Sequence, residues 1–239
     1  MFDAKKLLDQ FLGSQMPGVG GTVRDKAGEA VQMARNNPLA TSAIAAVLLG
    51  TKTGRGVAGN ALALGGLAAI AGLGYQAYKN YQAGQAPAAP SDAPAPSAPA
   101  VLPPPADSGF SAASPAQSNE FVLMLIRAMI AAAKADGHID DAERALIMDK
   151  VKAADISGEA AAFIERELAS PTDIDALIAS AVTEEQRVEL YTASRLTIEP
   201  DSRAERGYLD LLAGRLGLAD ALVDHIEATV SSAKVTLSQ

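Results

Sequence analysis

Residues 121–147 read FVLMLIRAMIAAAKADGHIDDAERALI. The first part of this segment, 121–133, carries one charged side chain, that of Arg127. A helix of that length is roughly 20 Å long, which is too short for the roughly 30 Å hydrocarbon core of a membrane. We therefore interpret it as the central helix of a soluble all-α domain, apolar on most sides because other helices surround it.

An acidic loop, residues 134–143, follows this helix directly and is called the first acid loop. It holds the carboxylates of Asp136, Asp140, Asp141 and Glu143, and Gly137 can adopt a positive φ that lets the chain leave the helix. Asp140 and Glu143 have the spacing of a capping box, so one interpretation is that the acids only begin a second helix. The other interpretation is a site for Ca²⁺ or Mg²⁺, which bind clustered oxygen ligands, although the spacing is not that of an EF-hand.

A second acid loop lies at residues 198–206 and reads IEPDSRAER. Its Ala-Glu-Arg repeats residues 142–144, and Ser202 and Glu205 again have the spacing of a capping box. Each loop follows one helical pattern and opens another. The repetition suggests an internal duplication packed around a pseudo-two-fold axis.

The segments KADGHIDDAER and IEPDSRAER, in an all-helical setting, resemble the tellurite-resistance TerB-like domain. A Gly/Ala-rich hydrophobic part, a Pro/Ala linker and this domain, in that order, resemble the YebE-type bacterial inner-membrane proteins. The resemblance implies an all-α fold, a location at the bacterial inner membrane and, for TerB relatives, a metal-binding acidic surface. Carried over by position, the metal ligands would be Asp136, Asp140, Glu143, Glu199, Asp201 and Glu205. The second loop has Glu-Pro-Asp where the first has Asp-Gly, which changes its ligand geometry.

Composition divides the chain into four regions. The linker, rich in Pro and Ala, cannot form a packed core and is expected to be an extended spacer. The regions are 1–36, amphipathic and polar helices; 37–82, a Gly/Ala-rich hydrophobic membrane region; 83–119, a disordered Pro/Ala linker; and 120–235, the TerB-like helical domain.

Residues 57–75, VAGNALALGGLAAIAGLGY, are the candidate membrane span, because about nineteen apolar residues can cross a bilayer. Tyr75, Tyr78 and Tyr81 resemble an aromatic belt at the membrane interface. The alternative is a glycine-rich segment that is soluble or lies on a surface. Residues 39–50 are also apolar and could complete a hairpin, so single-pass and hairpin topologies place the C-terminal domain on different sides of the membrane.

Small side chains share one face of this segment, where they would permit close contact between helices in lipid. A homo-oligomer formed through this face is therefore one expected assembly, and a separate protein partner is another. The small residues are Ala61, Gly65, Ala68 and Gly72.

The formal net charge is −8, but it is unevenly distributed. From residue 118 onward 12 basic and 22 acidic side chains leave the domain strongly acidic, whereas residues 1–56 carry seven basic and four acidic ones. The acidic domain would repel nucleic acid phosphates, so nucleic acid is not an expected partner. The basic N-terminal part suits an anionic membrane surface.

Catalytic signatures are missing from the sequence. It contains no cysteine, no Walker loop, no GxSxG and no HExxH, so we expect that the protein is not an enzyme. Two classes of function remain. One is a membrane-tethered acidic module that binds a divalent cation, a protein partner or both, in envelope or stress response. The other is a structural or interaction protein of the envelope without a metal site, whose acid loops only cap helices.

Overall fold

The computed structural model describes most of the C-terminal half and two pieces of the N-terminal half. At residues 11–13, 141–143, 146, 150, 153, 234 and 235 it describes the backbone alone. The described residues are 3–13, 66–87, 103–111, 114–135, 137, 139, 141–153 and 156–235.

Within these residues all regular secondary structure is α-helical, which confirms the predicted all-α class. The predicted central helix 121–133 is present and begins two residues earlier than expected. The helices are α1 (Ala4–Gly13), α2 (Gly66–Gln82), α3 (Asn119–Ala133), α4 (Asp141–Ala153), α5 (Gly158–Ala169), α6 (Ile174–Ser180), α7 (Glu184–Thr197), α8 (Arg203–Leu216) and α9 (Asp220–Val235).

Two helices, α3 and α7, form the centre of the bundle and make its most extensive contact. The apolar helix α3 is buried along ten of its fifteen residues, as predicted for a central helix. The second central helix, α7, also contacts α2, α8 and α9, and every residue from 188 to 198 is buried. Its sequence is rich in Glu, Arg, Thr and Ser, so its hydrophobic pattern gave no indication of this central position.

Helix α2 belongs to the same core as the C-terminal helices. It packs against α9, α7 and α1, and the side chains of Leu67, Ile70 and Leu73 are buried there. The candidate span 57–75 therefore overlaps, from Gly66 onward, a helix that packs against protein, while 57–65 lies outside the described residues. No helix in the described part of the chain is both long and apolar enough to cross a membrane.

The tyrosines expected at a membrane interface contact other rings of this chain instead. The rings of Tyr75 and Tyr78 lie 5.9 and 5.7 Å from that of Phe110, and the Tyr81 ring lies 6.2 Å from the buried His225 ring. Packing inside the bundle gives an amphipathic ring the same combination of apolar contact and polar edge that an interface provides. The aromatic-belt prediction is corrected accordingly.

The small residues on α2 allow it to approach α7 closely. A Cβ atom added to Gly74 would lie 3.2 Å from Cγ1 of Val188, and Gly72 is buried within the bundle. Ala68 is half-buried, while Ala61 and Gly65 lie outside the described residues. Gly72 of the predicted face thus lies inside the bundle of one chain, and the close approach to α7 is made at Gly74, which the prediction did not include.

Helix α1 ties the N-terminus to this core. Leu7 and Leu8 are buried, and the carboxylate of Asp9 accepts a hydrogen bond from the main-chain N–H of Leu67 at 3.4 Å. That N–H lies in the first turn of α2, where a helix has no internal acceptor. Asp9 therefore supports the start of α2 from a distance of 58 residues in sequence.

The end of the predicted spacer 83–119 also packs on the bundle. Its described part, residues 103–111 and 114–118, is called the strap. The strap crosses α2 and α7, and the side chains of Phe110 and Gln117 are each 2% exposed. The sequence predicts an extended spacer throughout, because a Pro/Ala-rich segment does not form a packed core.

Candidate functional site

The second acid loop is organised by local contacts. The main-chain N–H of Glu205 donates to Ser202 Oγ at 3.1 Å, and Glu205 Oε2 accepts the main-chain N–H of Ser202 at 2.9 Å. This is the capping box that the sequence predicted. Glu199 Oε1 lies 3.4 Å from Arg195 Nη2, and Asp201 is exposed.

Arg195 anchors this loop from inside the bundle, where its side chain is 3% exposed. Its guanidinium donates to the carbonyl oxygen of Ile198 at 2.9 Å and to Ser231 Oγ at 3.0 Å. It also pairs with the carboxylate of Glu227 on α9. The buried guanidinium therefore joins the carboxylate of Glu199 in the second acid loop to that of Glu227 on α9.

Tyr191 extends the same network towards α9. Its hydroxyl donates to Glu227 Oε1 at 2.7 Å. Burial raises the pKa of Tyr191 strongly, and the Glu227 carboxylate raises it further by charge and by accepting this bond. The hydroxyl thus keeps its proton and acts as a hydrogen-bond donor that joins α7 to α9.

The first acid loop is described only in part. Gly137 has φ 155°, as its expected role in the turn requires, and α4 begins at Asp141. Asp136 and Asp140 lie outside the described residues, as does the side chain of Glu143. The gathering of all six acids on one surface therefore stays a prediction. Among the side chains that are described, no three Asp, Glu, His or Cys residues come together to hold a metal ion.

A cleft of about 380 Å³ opens between α3, α5 and α6, next to the start of the first acid loop. Its apolar floor is formed by the buried side chains of Ile130, Ala131 and Leu177. Charged and polar side chains surround this floor. Two come from α3 and its C-terminal end, and the others come from the end of α5 and the loop that joins it to α6. These are Arg127, Lys134, Glu167, Ser170, Thr172 and Asp173.

The two cations of the cleft are held in fixed positions. The ammonium group of Lys134 donates to the carbonyl oxygens of Glu167 at 3.3 Å and Leu168 at 3.2 Å, and to that of Ser170. It thereby satisfies the last carbonyls of α5, which have no partner within the helix. Partial burial lowers the pKa of Lys134, and the Glu167 carboxylate opposes that effect.

Arg127 is fixed by a second pair of contacts. Its Nε lies 3.0 Å from Glu167 Oε1, and its guanidinium lies 5.2 Å from the centre of the Phe163 ring. The cleft therefore combines an apolar floor with charged groups that protein contacts hold in place.

The sequence analysis missed a buried polar pair under the strap. Gln117 Nε2 lies 2.7 and 2.6 Å from the two carboxylate oxygens of Glu189, whose side chain is 0% exposed. Burial raises the pKa of Glu189 from its ordinary 4.5 to about 8; the Gln117 amide lowers it in part, and Glu185 raises it. The sequence signal was weak, because a glutamate in a polar helix ordinarily faces water.

Comparison with known proteins places this arrangement in a family. The chain is 30% identical over 120 residues to a Yersinia enterocolitica protein described as "Uncharacterized protein in ampR 5'region". The matched region covers 50% of this chain and 86% of that protein. No solved structure matches the chain. The family model described as "Protein of unknown function (DUF533)" matches residues 34–230, which include α2 to α8, most of α9 and both acid loops. The chain therefore belongs to this TerB-like family.

Proposed function

We propose that this chain is a non-catalytic helical binding module, whose acid loops begin helices and whose cleft between α3, α5 and α6 receives a protein partner. One observation carries the first part of the proposal. In the second acid loop Glu205 is committed to a main-chain N–H and Glu199 faces a buried guanidinium, so both carboxylates already have partners within the chain.

The cleft supports the second part of the proposal. Its ion pair and its lysine are held by protein groups, so the rim stays in place around the apolar floor without a ligand. Such a site loses little conformational freedom when an apolar side chain of a partner enters it. The charged side chains of the cleft itself are balanced, two basic and two acidic, but the net acidic charge of residues 118–239 favours a partner segment that carries basic residues beside its apolar anchor.

A photo-crosslinking residue placed at Ala176 tests the cleft in living cells. Ala176 lines the cleft and is exposed, so the replacement does not disturb the core. Ala204, which is exposed on α8, is the matched control. We expect one discrete cross-linked protein from position 176 and none from 204. Equal labelling at both positions, or none at either, would remove the cleft from the proposal.

A divalent cation at the first acid loop is the second candidate function. Its support is the closeness in sequence of Asp136, Asp140, Asp141 and Glu143, together with membership of a TerB-like family. In this proposal Ca²⁺ or Mg²⁺ is held by the first loop, and the second loop contributes Asp201 from its exposed position. Titration with metal ions separates the two candidates, as described below.

We further propose that hydrophobic residues within 37–65 attach the module to the bacterial inner membrane, where it serves envelope or stress response. The apolar composition of this segment and the basic charge of residues 1–56 support the attachment. Carbonate extraction of cell membranes is the test. Protein that stays in the pellet after an alkaline wash supports insertion, and release into the supernatant would rule it out.

A further inference from the structure

The strap is attached to the bundle at two points. Phe110 inserts its ring between those of Tyr75 and Tyr78 on α2. Further along, the Gln186 side-chain amide on α7 donates to the carbonyl oxygen of Ala116 at 2.8 Å, and Gln117 covers Glu189. The strap therefore occupies a groove between α2 and α7 in the way that a bound peptide would.

The apolar contribution of the strap to this contact is small. Phe110 is its one fully buried hydrophobic side chain among the described residues, and the other buried side chains, Ser111 and Gln117, are polar. The free energy of burying one phenylalanine is comparable with that of keeping one carboxylate ionised inside a protein. The protonation state of Glu189 can therefore decide whether the strap stays in place.

Two effects act on the Glu189 carboxyl group in opposite directions. Gln117 Nε2 donates to both of its oxygens, which favours the ionised form, but complete burial under the strap favours the protonated form more strongly. Gln117 Oε1 is buried and has no hydrogen-bond partner among the described residues. Rotating the amide by 180° brings Oε1 to the carboxyl group, where a protonated Glu189 would donate to it. An ionised Glu189 has no proton to donate, and it lies one helical turn from the carboxylate of Glu185, which repels it.

Glu185 is the charged side chain that acts on Glu189. On the elements packed against α7, the ionisable groups are exposed or bonded elsewhere. The exposed ones include Asp107 of the strap, Glu120 of α3 and Lys79 of α2. The others are Tyr75 of α2, against Phe110; Tyr78 of α2, bonded to Glu184; Tyr81 of α2 and His225 of α9, against each other; Arg127 of α3, paired with Glu167; Glu205 of α8, bonded to Ser202; Tyr208 of α8, beside Ser194; and Glu227 of α9, bonded to Tyr191 and Arg195.

From these contacts we infer that the strap is a reversible intramolecular ligand of the groove between α2 and α7, and that loss of a proton from Glu189 releases it. Release lets water reach the carboxylate and uncovers the rings of Tyr75 and Tyr78. The groove is then open to an aromatic side chain of another molecule. This inference concerns a different face from the cleft and does not depend on the proposed function.

The sign of the pH dependence follows from the two states. Burial gives Glu189 a pKa of about 8 under the strap, against an ordinary value of 4.5 once water reaches it. Docking therefore takes up a proton between these two pH values, and its equilibrium constant should fall about tenfold per pH unit across that window. Below the window the strap stays docked, and above it docking no longer depends on pH.

Hydrogen–deuterium exchange of the full-length protein tests this. Labelling times are scaled for the intrinsic effect of pH, and peptides of α8 serve as the internal reference. We expect the strap amides to exchange at least about tenfold faster at pH 9 than at pH 6 relative to α8. Glu189→Gln should keep the strap protected at both values, whereas Glu165→Gln, at an exposed position of α5, should behave as the native chain does.

A fluorescence measurement tests the pH-dependent release of the strap even if Glu189→Gln does not fold. The chain has no tryptophan, so Phe110→Trp introduces a unique reporter of the strap anchor. Its emission should shift to the red between pH 6 and pH 9, while Tyr78, whose pKa is raised by burial, keeps its proton. An emission maximum that does not change with pH, or strap exchange that does not change relative to α8, overturns the inference.

Discussion

Ser202 and Glu205 cap the start of α8 for each other, with hydrogen bonds of 3.1 and 2.9 Å. The corresponding serine before α5, Ser157, occupies the same cap position but makes no side-chain hydrogen bond there. The two serines therefore have the same position relative to a helix, but only Ser202 makes a cap hydrogen bond. Alanine variants of the two serines form a matched pair.

Replacing Ser202 with Ala should lower the free energy of unfolding by about 1 kcal/mol, because the main-chain N–H of Glu205 loses its side-chain acceptor. Replacing Ser157 with Ala should lower the free energy of unfolding by no more than a few tenths of about 1 kcal/mol, since no cap hydrogen bond is lost. Chemical denaturation in a chelator and in millimolar Ca²⁺ measures both. A Ser202→Ala cost that appears only with Ca²⁺ present would contradict the capping role.

Millimolar Ca²⁺, Mg²⁺, Mn²⁺ and Zn²⁺ should leave the melting temperature unchanged if the acid loops are only caps. If the first loop binds one of them, mass action should stabilise the fold by about 2.7 kcal/mol at a hundredfold excess over Kd. Asp136→Asn should then abolish the gain, and Glu199→Gln should leave it intact because Arg195 already pairs with that carboxylate. Calorimetric titration of the three proteins is the measurement.

Glycine substitutions probe the close approach of α2 to α7. Gly207→Ala on α8 should stabilise the protein by about 0.5–1 kcal/mol, because an added Cβ there meets nothing within 4 Å and alanine favours helix. Gly74→Ala should gain clearly less or destabilise, because Val188 would have to move. Equal gains at both positions, measured by thermal unfolding, would mean that α2 and α7 are not in close contact.

A fragment of residues 118–239 should not fold stably, although it contains the whole predicted TerB-like domain. It lacks α2, and each buried Leu or Ile of that helix contributes about 1.5–3 kcal/mol, a large part of an ordinary domain's stability of about 5–15 kcal/mol. Residues 66–239 should give a cooperative melt followed by circular dichroism. Equal melting temperatures for the two fragments would show that α2 is dispensable.

The stability of the protein should fall as pH rises through the range set by Glu189. The unfolded chain loses this proton near its ordinary pKa of 4.5 and the folded chain at about 8, so between them the folded state holds one more proton. The slope is at most about 1.4 kcal/mol per pH unit. Glu189→Gln should remove this part of the dependence, and Glu165→Gln should not, as measured by urea unfolding from pH 5 to pH 8.

The sequence by itself determined the local structure. The capping box at Ser202–Glu205 and the turn at Gly137 were both predicted and are present. Each depends on residues within one helical turn of one another, so spacing along the chain is sufficient to recognise it. The all-α class followed from the same local patterns.

Only the tertiary structure decided how these helices are grouped. Helix α2 has the composition of a membrane segment, yet its apolar side chains are covered by α7 and α9, because burial against protein and burial in lipid select the same residues. Helix α7 has the composition of a surface helix, yet it is central. Its buried polar side chains are bound by other parts of the chain: Arg195 pairs with Glu227, and Glu189 accepts hydrogen bonds from Gln117. Those partners are 32 and 72 residues away in the sequence, a separation across which no local pattern carries information.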